Sequence, residues 1–286
     1  MKQILFLFLL QIAHVSAQSK NITLLDNWQD TSLMSNSSQV RYSGLWTFSK
    51  GNDEYAVIGT TEGAAFLQLM ENNELLFIDS IEGNYASSQA ITREYKRYQN
   101  YIYAIGDEGD ASLQIIDISY LPDSVTLANE VQDERVGKAH TIHIDSVNAL
   151  LYLCSVTPIV NGQALGLVPL RVFSLDNPLE PVLLWEGFED LAEVHDMELR
   201  DQIAILNCGF DGIRVYDFST PAAPVYLSNL EFYQNQGYNH QGSLSPDMST
   251  YVFADETPGT RIKKCTVSAD FDLQIQHNFG VLDAPY

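Results

Sequence analysis

Hydrophobic and polar residues alternate most clearly between Val194 and Phe232, where four short runs follow one another. Val194 to Leu199 (VHDMEL) and Gly212 to Phe218 (GIRVYDF) carry the two-residue period of a half-buried strand. Gln202 to Leu206 (QIAIL) is mostly apolar, and Val225 to Leu230 (VYLSNL) closes the set. Breakers separate the runs. Arg200-Asp201 makes a tight turn, Gly209-Phe210-Asp211-Gly212 tolerates positive φ, and Ser219-Thr220-Pro221 with Pro224 cannot stay in a ladder. Four antiparallel strands cannot shield their apolar face alone, so the unit predicts copies of itself stacked beside it.

The copies are found by using Asp217 in RVYDF as a ruler. Gln68 in FLQL, Asp117 in QIIDIS, Ser174 in RVFSLDNP and Thr266 in KKCTV take equivalent places, giving successive spacings of 49, 57, 43 and 49 residues. A drifting period of about 40 to 50 with four strands per period is that of a β-propeller blade. The fold class is therefore all-β, a propeller of four-stranded antiparallel blades over residues 18–286. The blades are placed near 45–81, 92–131, 140–187, 194–232 and 240–279, the third interrupted by an insertion around Thr157 to Leu167. Asn21 to Asp30 (NITLLDNWQD) reads as an N-terminal closing strand. The fifth blade already owns an outer strand (DLQIQHNF), so the extra strand predicts an incomplete ring and a chain truncated at its C-terminus; a five-bladed ring with an accessory strand is the alternative.

The two ends and the charge add a compartment. Residues 1–17 read as a secretory signal peptide, with Lys2 ahead of an apolar run from Ile4 to Ile12 and a small-residue cleavage site at Val15-Ser16-Ala17. No later run is long and apolar enough to insert in a membrane. The chain is therefore expected to be secreted, extracellular or at the cell surface, with a periplasmic location also open. Against 15 basic residues stand 37 acidic ones, for a net charge of −22, a field that repels phosphate backbones and excludes nucleic acid as a partner. Cys154, Cys208 and Cys265 all fall on predicted strands without metal-type spacing, and read as buried thiols rather than a disulfide framework. Asn21-Ile22-Thr23 and Asn36-Ser37-Ser38 match the glycosylation acceptor pattern, meaningful only for a eukaryotic chain.

Candidate chemistry sits where each innermost strand begins. The openings are Trp46, Arg93-Glu94, His140 in AHTIHID, His195 in VHDMEL and His240 in NHQGSL. The second strand runs antiparallel to the first, so its exit lies beside that opening. Asp107-Glu108 in the second blade and Asp255-Glu256 in the fifth are thereby brought to the same channel mouth, with Asp196 beside them. Imidazoles with carboxylates suit one divalent transition-metal cation, whose identity stays open. His140, His195, His240, Asp255 and Glu256 are the expected ligands, and Arg93, Glu94, Asp107, Glu108 and Asp196 the expected binding groups around them. His143, further along its strand, is expected to join the site or line the channel. The competing reading is structural: each histidine would donate to a neighbouring blade and hold the blades in register. GxSxG, HExxH, P-loop and GxGxxG signatures are missing, and Gly106 to Asp110 departs from a calcium-loop spacing.

Taken together, TREYKRYQNYIYAIGDEGDASLQIIDIS, AHTIHID, VHDMEL, GIRVYDFSTPAAPV, NHQGSLSPD and FADE resemble the exported choice-of-anchor B family, built on LVIVD-type propeller repeats, over about Asn21 to Tyr286. His195-Asp196, His240-Gln241-Gly242 and Asp255-Glu256 match its recurrent elements. The resemblance implies a secreted or surface-displayed propeller with varied C-terminal anchors and no activity common to the class. The expected function is a binding or interaction module for a protein, glycan or small-molecule ligand, acting as a monomer. The alternative is a metal-dependent hydrolase or lactonase using the same cluster, with Glu94, Glu108 or Glu256 as general base.

Overall fold

A computed structural model describes residues 22–280 of the 286-residue chain. The expected signal peptide lies outside the described residues. Five antiparallel sheets follow one another along the chain, each with a four-stranded path and the third with two further short strands, and no helix is found among the described residues. The inner strands are Tyr42–Lys50, Arg93–Tyr98, Thr141–Asp145, Asp196–Arg200 and Asn239–Leu244. Each abuts the inner strand of the next sheet, the arrangement of propeller blades around a channel.

Strict alternation in the second strands explains how the blades stack. In the fourth blade Ala204 and Leu206 face the third, whereas Ile203 and Ile205 face the fifth. In the third, Leu151 and Leu153 face the second blade while Leu150, Tyr152 and Cys154 face the fourth. A strand buried on both faces must be apolar at every position, which is why QIAIL and LLYLC read as continuous hydrophobic runs. Four apolar clusters fill the four interfaces between successive blades. Among the described residues none joins the fifth blade to the first, in keeping with an incomplete ring.

The polar residue used as a ruler has a physical role. Asp117 and Asp217 each accept the backbone N–H two residues on, from Ser119 and Ser219, and the Ser174 hydroxyl accepts that of Asp176. The side chain thus closes the turn out of the third strand, a job suited to short oxygen-bearing residues. Gln68 in the first blade reaches Asp53 instead.

The N-terminal closing strand is not formed. Ile22 to Asp30 carries no strand, and the segment packs outside the first blade: Asp26 accepts the Leu75 N–H, and Trp28 stacks on Phe77 at 5.9 Å. Half-burying Trp28 against an outer strand anchors the segment through a side chain, with no ladder required. The insertion in the third blade extends its second strand, Leu150–Val160, into a hairpin with Gln163–Ala164. The same extension pairs with Gly137–Lys138 and so fixes the approach to His140.

All three cysteines are buried and unbridged. Phe218 is fully buried between the third and fourth blades, edge-on to Tyr152 at 5.4 Å and to Trp185 at 5.7 Å. Phe218→Ala is expected to destabilise the protein by about 3–5 kcal/mol. Urea unfolding measures this, and a loss under about 1 kcal/mol would contradict this packing.

Candidate metal centre at the channel mouth

Three imidazoles stand in a row where the inner strands of blades three, four and five begin. The rings of His140 and His195 are 4.2 Å apart, and those of His195 and His240 are 4.5 Å apart. Backbone contacts between blades hold this row. The Thr141 hydroxyl donates to the His195 carbonyl, the Ser155 hydroxyl donates to that of Val194, and His195 Nδ1 lies 3.0 Å from the His240 carbonyl.

That last contact decides a tautomer. A carbonyl oxygen only accepts, so Nδ1 of His195 carries the proton and Nε2 keeps its lone pair. Burial, reinforced by the neighbouring His140 and His240 rings, pulls the His195 pKa down to about 4, so this imidazole is neutral at pH 7. Ligand atoms of His195, His240 and Glu256 all lie within 4.8 Å of one another, a spacing able to hold one metal ion. Glu256 Oε2 is 3.9 Å from His240 Nε2.

His140 is tuned the other way. Burial disfavours its charged form, but the Asp107 carboxylate, 2.8 Å from Nδ1, outweighs that with help from Glu94 and Asp196 and raises its pKa. Deeper in the channel lies a second layer. His143 Nε2 is 2.8 Å from Asp196 Oδ1, and Glu94 accepts the backbone N–H of Ile142. Burial opposes ionisation of Asp196, yet its bond to His143 prevails and lowers the pKa. Glu94 lacks such a direct partner, and burial raises its pKa.

Three sequence expectations are corrected here. Asp255 is not beside the imidazoles; it is fully buried, 2.7 Å from the equally buried Lys263 Nζ, and also accepts from Tyr233 and the Gly237 N–H. A carboxylate so fully bonded has no lone pair facing the mouth. Arg93 is buried between blades one and two, donating to the carbonyls of Thr60 and Tyr85. Close approach there requires Gly44, where a Cβ would stand 2.1 Å from the Arg93 carbonyl oxygen. Glu108 turns back to accept the Ile91 N–H.

Sequence reasoning missed Tyr238 and Glu193. Tyr238 sits edge-on to His195 at 5.3 Å. Burial first, then its hydrogen bond to Glu193 and the charges of Glu256 and Asp107, push its hydroxyl well above the usual phenol range. Both residues lie two positions before a mouth histidine, an offset that marks them in the sequence.

No protein-family model matches the sequence, and no curated protein matches it. Solved structures do match in fold. The Pseudomonas aeruginosa periplasmic gluconolactonase aligns at TM-score 0.64 and 11% identity over 84% of this chain and 72% of that one. A Lactobacillus plantarum protein aligns at 0.64 and 15%, over 83% and 70%. A Bacteroides fragilis protein described as a candidate 6-phosphogluconolactonase aligns at 0.54 and 11%, over 80% and 67%. Among the described residues no helix is long and apolar enough to cross a membrane.

The second layer has a measurable pH signature. A carboxyl whose folded pKa lies above its unfolded value of 4.5 penalises folding as pH rises through that interval and not below it. Glu94→Gln is therefore expected to raise the unfolding midpoint at about pH 7, with the gain disappearing near pH 4. Thermal melts at the two pH values measure this, and an equal effect at both would contradict it.

Proposed function

We propose that this chain holds one divalent cation on His195, His240 and Glu256 and hydrolyses a lactone or related ester at the channel mouth. The observation that carries the reading is the His195 imidazole, kept neutral by burial and fixed in one tautomer by the His240 carbonyl, beside two further donors within 4.8 Å. Metal-ligating histidines are oriented through the second ring nitrogen in this way. A cation there would polarise the substrate carbonyl and acidify a bound water.

The chain supplies the proton chemistry. Asp107 accepts from His140 Nδ1–H, which leaves Nε2 as a base beside His195. His140 takes one proton from the attacking water as its oxygen bonds to the acyl carbon. The acyl–oxygen bond breaks, and the proton passes to the departing oxygen, giving a hydroxy acid. His140 fits this task better than Glu94, which is bonded to the Ile142 N–H in the deeper layer, or Glu108, bonded to that of Ile91.

Two of the structural neighbours bear lactonase names, which agrees with this reaction class while the likeness itself supports the fold. We also propose export by the N-terminal 17 residues, for which the periplasmic neighbour offers a parallel, and, on the sequence elements alone, kinship with the choice-of-anchor B proteins.

Elemental analysis of the mature protein after equilibration with zinc or manganese tests the centre. About one ion per chain is expected, falling below about a tenth in His195→Ala and His240→Ala with circular dichroism unchanged. Hydrolysis of simple lactones should disappear with the ion. No bound metal in the unaltered protein would overturn the centre, and metal without turnover would leave a ligand-binding module.

A further inference from the structure

One ring beyond His195, across Tyr238, stands an aromatic side chain that the proposed chemistry does not use. Phe210 is 76% exposed, yet its ring is 5.2 Å from Tyr238, edge-on, and Tyr238 in turn meets His195. The loop that presents it is held rigidly. Gly209 and Gly212 take φ of +55° and +78°, and Gly209 and Asn239 exchange both backbone hydrogen bonds, tying the fourth-blade loop to the fifth-blade inner strand. Asn207 and Asn239 are fully buried and bonded to each other, and Tyr251 donates to Asn207. A Cβ on Gly209 would stand 2.8 Å from both the Tyr238 ring and the Glu193 carboxylate, so the loop, the ring and the acid are packed as one unit. An exposed apolar ring on a rigid mount next to a reactive cluster is a stacking surface rather than a mobile loop tip.

The polar groups around it narrow the ligand. The Glu193 carboxylate borders the loop, 2.8 Å from where a Cβ on Gly209 would stand; it is not one of the proposed metal ligands, and the chain carries a net charge of −22. Carboxylates only accept hydrogen bonds and repel anions, so they favour a ligand rich in hydroxyl donors and without negative charge. A sugar ring combines those hydroxyls with an apolar C–H face that lies flat on an aromatic ring.

We propose that Phe210, backed by Tyr238, is a stacking subsite for a neutral sugar ring, so that the substrate is an uncharged sugar lactone and not its phosphorylated form. This rests on the hydrolytic reading for the word substrate, but not for the binding surface itself. Phe210 packs on Tyr238, which is not a proposed ligand of the metal centre, so its removal is expected to leave metal content intact.

Two measurements on the mature, metal-equilibrated protein and on Phe210→Ala separate the claims. The first is hydrolysis of D-glucono-δ-lactone and of its 6-phosphate. The neutral lactone should be preferred at least about tenfold in kcat/KM, and Phe210→Ala should raise its KM about tenfold with kcat little changed. The second is saturation-transfer NMR with D-glucose as an unreactive probe, expected to show transfer to the ring protons that Phe210→Ala abolishes. Transfer without turnover would uphold the subsite and overturn the lactonase reading. An unaltered KM or unaltered transfer in Phe210→Ala, or preference for the phosphate, would overturn the subsite.

Discussion

The second strands of blades two, three and four each serve two interfaces at once, because successive side chains point to opposite faces and each face is covered by a neighbouring blade. The positions of the blades follow from this. Ile203 and Ile205 cannot be buried without a fifth blade, nor Ala204 and Leu206 without a third. Once the sheets are committed face to face, the inner strands come into register around the channel, and the residues that open them converge whatever their chemistry. The cluster of imidazoles is thus a by-product of apolar stacking that this sequence has filled with histidine.

Convergence alone would give three rings in a heap. The hydrogen bonds from Thr141 to His195, and from His195 to the carbonyl of His240, turn it into an ordered row with opposite tuning at neighbouring positions. His195 is depressed by burial and by the rings on either side, while His140 is lifted by Asp107. A neutral ligand beside a more basic imidazole is the separation of roles that metal-assisted hydrolysis needs. Beneath them His143 is hydrogen-bonded to Asp196, whereas Glu94, raised by burial, has no such side-chain bond.

Much of the fold was legible because period and polarity carry it. The turn-closing oxygens of Asp117, Ser174 and Asp217 repeat at blade spacing, and the histidines recur at the start of inner strands. The failures share a cause. Sequence position places a residue at a strand end but does not say which way its side chain leaves. Arg93 turns into an interface and Asp255 into a buried pair with Lys263, although both stand one residue from groups nearer the channel. Ile22 to Asp30 has the composition of a strand, but its course is set by Trp28 against Phe77. Phe210 escaped notice because it lies in a turn and Tyr238 because it lies in an irregular stretch before an inner strand, where no periodic signal applies, and only the two-residue offset it shares with Glu193 hints at Tyr238.

Crystals of the mature protein grown with cobalt test the central claim most directly, through anomalous diffraction at the metal edge. The account predicts one strong peak about 2.0–2.2 Å from a ring nitrogen of His195 and of His240, with a Glu256 oxygen at similar range. A peak elsewhere on the molecule, or none at the mouth at saturating cobalt, would contradict it.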